Sequence, residues 1–155
     1  MRCSLLAVES FMLKSLLVII SVTFLSFNTL ADQASDKVAI KAAVNDYFQG
    51  QGEASKARLF RAFAAEHATM VGVVKNDDGK DVIKSYKDMT SVLNQWASNK
   101  NPAGGNLDGE VISMDIVDDR LAVVLFRSTN RFYDALTLAK LNNEWKIVAK
   151  AYILQ

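Results

Sequence analysis

The chain has 155 residues, half of them apolar and 23% charged, with a formal net charge of +1 at neutral pH. That length fits one domain, and the composition excludes a disordered or fibrous chain. Lys and Arg are scattered beside acids, as in Asp77-Asp78-Gly79-Lys80-Asp81, which excludes the basic footprint of a nucleic-acid-binding protein.

Residues 1–31 read as a secretory signal peptide, with Met12 a possible true start because Glu9 is out of place in such a segment. Lys14 supplies the basic start, Leu16–Phe27 the apolar run, and Thr29-Leu30-Ala31 the small-residue end with cleavage near Ala31. The run is shorter than the ~20 residues that span a bilayer, so the expected product is periplasmic or secreted, with no membrane attachment after cleavage. An uncleaved anchor is the alternative. The only cysteine, Cys3, lies in this segment. The remaining residues 32–155, read as a single domain, therefore hold no disulfide, thiolate nucleophile or Cys-ligated zinc. One histidine and the spacing of the Asp77–Asp81 acids make no ordinary zinc or calcium site either, and no cofactor motif is visible.

After a polar leader at 32–35, with Ser35 as N-cap, apolar residues Ile40, Ala43, Val44, Tyr47 and Phe48 recur at helical spacing, and Gly50 and Gly52 end the helix. A second helix over 55–67 places Leu59, Phe60, Phe63 and Ala64 on one face. Residues 68–75 form a short strand, and Gly79 turns the chain. A third helix is predicted over 81–97, with Ile83, Tyr86, Met89, Thr90, Leu93 and Trp96 or Ala97 as its inner stripe. A loop carrying Pro102, Gly104 and Gly105 follows. Four strands are then expected at 107–117, 120–130, 132–141 and 145–154, with Asp118-Asp119 and Asn142-Asn143 as two-residue hairpin turns. The order is ααβαββββ, an α+β layout with helices on one face of a curved sheet.

The segment Phe132, Asp134, Leu136, Thr137, Leu138, Lys140, a turn, then Trp145, Lys146, Ile147, Val148 and Lys150 resembles the tail of the putative lumazine-binding group. That group belongs to the nuclear transport factor 2-like superfamily and is related to SnoaL-like and ketosteroid-isomerase-like proteins. The resemblance spans about 36–154. It implies a cone: a strongly bent antiparallel or mixed sheet wrapped around the N-terminal helices, open at one end. It also implies a pocket in the cone and a homodimer through the sheet. This chain departs from the family's Phe-His-Pro-Asp-Ala after the second helix. It has Phe63-Ala64-Ala65-Glu66-His67-Ala68, with the histidine displaced and the proline missing.

Phe132, Asp134, Leu136 and Leu138 alternate with Tyr133, Ala135, Thr137 and Ala139. The alternation alone leaves either face free to point inward. Asp134 reads as an acid inside the cone, with a raised pKa, or as a rim residue paired with Arg127 or Arg131. His67 reads as a pocket residue, or as a helix-terminal residue meeting the dipole. Tyr47, Met70, Tyr86, Trp96, Met89 and Met114 line a pocket or fill the core. Trp145, with Ile147 and Ala149 on its face, reads as a packing residue. In ketosteroid isomerases, a stretch similar to residues 65–72 leads to an aspartate base. Here that position falls at or beside Gly72, so the base is absent.

The expected function is non-catalytic binding of a small apolar or aromatic molecule in the cone pocket. The ligand-binding set is Tyr47, His67, Met70, Tyr86, Trp96, Met114 and Asp134. Two alternatives stand beside it: an isomerase, dehydratase or cyclase using Asp134 and His67, and a protein-interaction module using the outer sheet face.

Overall fold

The computed structural model describes residues 32–155; the signal segment expected at 1–31 lies outside the described residues. A helix, α1, runs over 32–52. It is already formed at residue 32, so Ser35 lies within it rather than capping it. No Gly or Pro interrupts residues 32–49, and nothing local breaks the turn there. Ile40, Ala43, Val44, Tyr47 and Phe48 are buried along one stripe, as the spacing predicts. The C-terminal end of α1 is pinned to the later loop. Gln49 donates to the Leu107 carbonyl at 3.0 Å and accepts from the Leu107 amide at 3.1 Å.

Helix α2 is Lys56–Ala62, shorter than expected. Phe63 turns extended and pairs with Ile147, and the Ala64 amide donates to the Ile147 carbonyl at 3.0 Å. The sheet thus takes residues that the apolar period assigned to the helix. Strand β1 is Thr69–Lys75. Asn76 then organises a turn, its side-chain oxygen accepting from the Asp78 and Lys80 amides while Gly79 takes a φ of 76°.

Residues Asp81–Tyr86 form a strand, β2, antiparallel to β1, and not the start of a third helix. The turn at Asn76–Lys80 folds them back onto β1, and β-branched Val82 and Ile83 suit the pleat. The third helix, α3, is Met89–Ala97. Asp88 caps it, accepting from the Ser91 amide at 3.0 Å and the Ser91 hydroxyl at 2.6 Å.

Strands β3 (Gly109–Val117), β4 (Leu121–Ser128), β5 (Phe132–Leu141) and β6 (Glu144–Leu154) complete a six-stranded sheet. Its order is β2-β1-β6-β5-β4-β3, antiparallel throughout except for the parallel β1–β6 pair. The sheet is bent and unclosed, with β2 and β3 at its edges. Asp118, Asp119, Asn142 and Asn143 all take positive φ, as hairpin turns of this kind require. The α+β architecture expected from the sequence is present, with one strand more than the expected order.

The face of β5 that carries Phe132, Asp134, Leu136 and Leu138 points inward. In β6 the alternation changes partway. Trp145 and Ile147 are buried, but so is Lys150, while Ala149 is only half-buried. The cause is a bulge. Thr137 pairs with Ala149 and Leu138 with Ile147, which leaves Val148 as an extra residue. Every inward position after Val148 is shifted by one, so Lys150 and Tyr152, rather than Ala149 and Ala151, face the helices.

Candidate functional site

The inner rows of the sheet follow from the register. Tyr86, Met70, Lys150 and Leu136 lie side by side on β2, β1, β6 and β5. The next row is Lys84, Gly72, Tyr152 and Asp134. Where these rows meet α1 and α3, a cavity of about 730 Å³ opens. Tyr47 and Gln51 reach it from α1, and Val92, Gln95 and Trp96 from α3. Met70, Lys84, Tyr86, Phe132, Lys150 and Tyr152 reach it from the sheet, and Arg131 stands at the entry to β5.

Its floor is a buried charge pair. Asp134 is fully buried and Lys150 is 5% exposed. The Lys150 ammonium donates to one Asp134 carboxylate oxygen, and the Tyr47 hydroxyl donates to the other at 2.8 Å. The Lys150 nitrogen also lies 4.8 Å from the ring centre of Phe132, 4.9 Å from Tyr152 and 5.0 Å from Tyr47. Three aromatic faces and one carboxylate thus replace its water. Burial raises the Asp134 pKa, against the stabilising pull of Lys150 and Tyr47. Burial lowers Lys150 to about 8, against the pull of Asp134. Both shifts favour the uncharged forms. Burial, and then the Asp134 charge, push the Tyr47 phenol well above its ordinary value.

Tyr152 forms a second feature. Its ring fills the space above Gly72: a Cβ built on Gly72 would come within 2.3 Å of the Tyr152 ring. The backbone of β1 and the ring can approach this closely only because residue 72 has no side chain. The space beside Gly72 is therefore occupied by a tyrosine from the neighbouring strand. The Tyr152 hydroxyl sits 3.4 Å from that of Tyr86. Burial, and then Tyr86, raise Tyr152 to about 12. For Tyr86, burial acts upward but is outweighed by its contacts with Tyr152 and Lys84, so its pKa falls.

Four of the residues singled out in the sequence, Tyr47, Met70, Tyr86 and Trp96, line this cavity, and Asp134 lies directly beneath it. Asp134 pairs with Lys150 rather than with a rim arginine; Arg127 pairs with Glu110 instead. His67 and Met114 are not among the lining residues. His67 is exposed in the turn after α2, because that helix ends at Ala62. Met114 is half-buried on β3, on the far side of the sheet order from β1 and β2. Lys150, Tyr152 and Lys84 join the site without having been expected there, while Arg131, expected at the rim as a partner of Asp134, lines the cavity. Lys150 and Tyr152 were hidden by the bulge, and Lys84 by the helix expected at 81–97. Among the described residues no group of three His, Cys, Asp or Glu side chains is placed to hold a metal.

A bent, unclosed sheet packed over a long helix, with a cavity between them, defines a cone fold of the nuclear transport factor 2 type. Several solved structures similar to it carry that label. One is an NTF2-like protein of unknown function from Shewanella baltica, 22% identical, with a TM-score of 0.64 over 79% of this chain and 95% of that one. Another, from Methylobacillus flagellatus, is 26% identical, with a TM-score of 0.62 over 78% and 93%. A ketosteroid isomerase-like protein from Erwinia carotovora atroseptica is 11% identical, with a TM-score of 0.53 over 76% and 94%. No curated protein matches the chain. Residues 35–153 match the family described as putative lumazine-binding, and the chain belongs to that family.

Proposed function

We propose that the protein is an exported, non-catalytic binder of a small aromatic or largely apolar molecule, held in the cavity between α1, α3 and the sheet. The observation that carries this reading is the cavity itself. Its volume of about 730 Å³ lies in the range of small-molecule sites, and Tyr47, Tyr86, Trp96 and Tyr152 give it flat aromatic walls. Family membership supports small-molecule binding at the same level. The non-catalytic part rests on Gly72, where Tyr152 occupies the space a base would need. Export rests on the signal pattern of residues 1–31.

The test is native mass spectrometry on protein recovered from the exporting host. A chain beginning near residue 32 and carrying a discrete extra mass, lost on activation, is the expected result. Protein recovered only at the bare polypeptide mass, and silent toward a panel of aromatic compounds, would remove the reading.

A second reading, an enzyme of the isomerase, dehydratase or cyclase kind, is favoured by one observation. Asp134 and Lys150 are both shifted toward neutrality under a cavity, as acid–base residues often are. Against it, Asp134 is fully buried with both oxygens engaged, so it acts more readily as a support for Lys150 than on a substrate. Unchanged turnover of every candidate ketone or polyketide by Asp134→Asn would remove this reading.

We also propose that a second copy of the chain covers the outer face of the sheet. Val71, Ala151, Ala135 and Leu125 are exposed and form one row across β1, β6, β5 and β4. Val73, Ile153 and Val123 flank it, and Val123 is 50% exposed. A continuous apolar row of this kind is a surface that calls for a partner.

A further inference from the structure

Three cationic side chains line the cavity, Lys84, Arg131 and Lys150, and no carboxylate does. Lys150 is neutralised from beneath by Asp134. The other two are different. Lys84 stands over the Tyr86 ring at 5.3 Å and Arg131 over the Phe132 ring at 5.1 Å. Neither makes an ion pair with a carboxylate among the described residues. Other cations nearby in the sequence do: Lys75 pairs with Asp81 along the β1–β2 hairpin, and Arg127 with Glu110 between β4 and β3. The sheet order separates Lys84 from the start of β5 by three strand spacings, about 14 Å, so the two cations flank the cavity from opposite sides.

With Lys150 paired to Asp134, the wall keeps two cations that have no carboxylate in contact, Arg131 acting on Asp134 only at longer range. A guanidinium lying flat on Phe132 still presents its N–H edge, the edge that grips a carboxylate in two places. Both cations are exposed, so their attraction for a bound anion is screened by salt and should be salt-dependent. We propose that the ligand of this cavity is an aromatic acid, its ring against Trp96 and Tyr86 and its anionic group gripped by Arg131, with Lys84 adding positive charge from the other side of the cavity. This rests on the aromatic-binding reading above and adds charge to it.

The experiment uses matched probes that differ only in charge: 1-naphthoate with 1-naphthamide, and indole-3-acetate with indole-3-acetamide. Each is titrated calorimetrically into the wild type at low and high salt, and into the Arg131→Gln, Lys84→Gln double variant. Both substituted side chains are exposed, so the fold is expected to survive, and a thermal melt checks it. In at least one pair the acid should bind about tenfold tighter than the amide, the worth of one charge-assisted hydrogen bond. That preference should shrink at high salt and vanish in the variant, where acid affinity falls more than amide affinity. Acid and amide binding equally, or the amide binding better, would overturn the anion proposal and leave aromatic binding standing. An acid preference that survives both substitutions would overturn the assignment to Arg131 and Lys84. No binding by any of the four probes would overturn both the proposal and the reading beneath it.

Discussion

Lys150 and Asp134 are diagonal neighbours across β6 and β5, and they meet inside the protein because Val148 is one residue too many for the ladder. Without that bulge, Lys150 would project to solvent from the opposite face, and Asp134 would be a buried carboxylate with Tyr47 alone for company. The pair is thus a product of strand register. Removing one member exposes the cost. Lys150→Met should destabilise the protein by about 3 kcal/mol near neutral pH, because it strands a buried carboxylate. Urea denaturation measures this. The loss should shrink as pH falls toward the raised pKa of Asp134, where protonation removes the stranded charge. An Asp134→Leu, Lys150→Met double variant should recover most of the stability, since the pair and its apolar replacement are of similar worth. Equal losses in the single and double variants would show that the pair does not act as a unit.

The same pair sets an alkaline pH dependence. The ordinary lysine value is 10.5, and Lys150 sits at about 8 in the folded protein. Between these two values the unfolded chain holds a proton at this position that the folded protein has released. Stability therefore rises as pH increases from about 8 to 10.5. The full extent is on the order of 3 kcal/mol. Tyr47 acts in the opposite direction, but only above its ordinary value of 10, where the unfolded phenol ionises and the buried one does not. Tm measured across pH 8 to 10 should rise in the wild type. The component due to Lys150 should be missing from Lys150→Met. Identical slopes in the two proteins would place the folded-state pKa of Lys150 near its ordinary value.

The parts of this molecule governed by local pattern were legible in the sequence, and those governed by register were not. The α1 stripe from Ile40 to Phe48 and the Asp118-Asp119 and Asn142-Asn143 turns each express one short-range rule, and each appears where the pattern put it. The segment 81–97 failed for an instructive reason. Ile83, Tyr86, Met89 and Leu93 keep helical spacing across a boundary that is set by pairing with β1. The signal that could have found the boundary is Asp88, whose side chain caps a helix beginning at Met89. Lys150 and Tyr152 were lost in another way. Alternation from Trp145 and Ile147 points to Ala149 and Ala151, and no residue near Val148 announces a bulge. Asp134 was visible as an acid on an apolar face, but its partner lay on the wrong side of that unseen shift.

Gly72 gives a test of the cavity wall. A methyl group there would overlap the far end of the Tyr152 ring, which borders open space and can swing away. Gly72→Ala should therefore cost little stability, about 1 kcal/mol or less, while driving the ring into the cavity. Its mark would be spectroscopic. Tyr152 is held at about 12 by burial and by Tyr86, so it should titrate closer to its ordinary 10 once displaced. Ultraviolet titration of the phenols, with Tyr152→Phe to assign the signal, reads this directly. An unchanged titration curve, with stability intact, would mean that the backbone of β1 yields instead of the ring.

The outer row supplies the last prediction. Ala135 and Ala151 face each other across β5 and β6 at its centre, between Leu125 and Val71, and all four are exposed. A charge placed at that centre would be stripped of water in a two-fold assembly and would lie close to its own symmetry copy. Like charges in that position are repulsive as well as desolvated. Ala135→Arg should therefore convert the proposed dimer to a monomer in analytical ultracentrifugation. In an isolated chain the same side chain would remain in solvent, so the fold and the cavity should be unaffected. A wild type that sediments as a monomer at all concentrations would leave the row without a second copy. A dimer untouched by Ala135→Arg would move the interface away from β5.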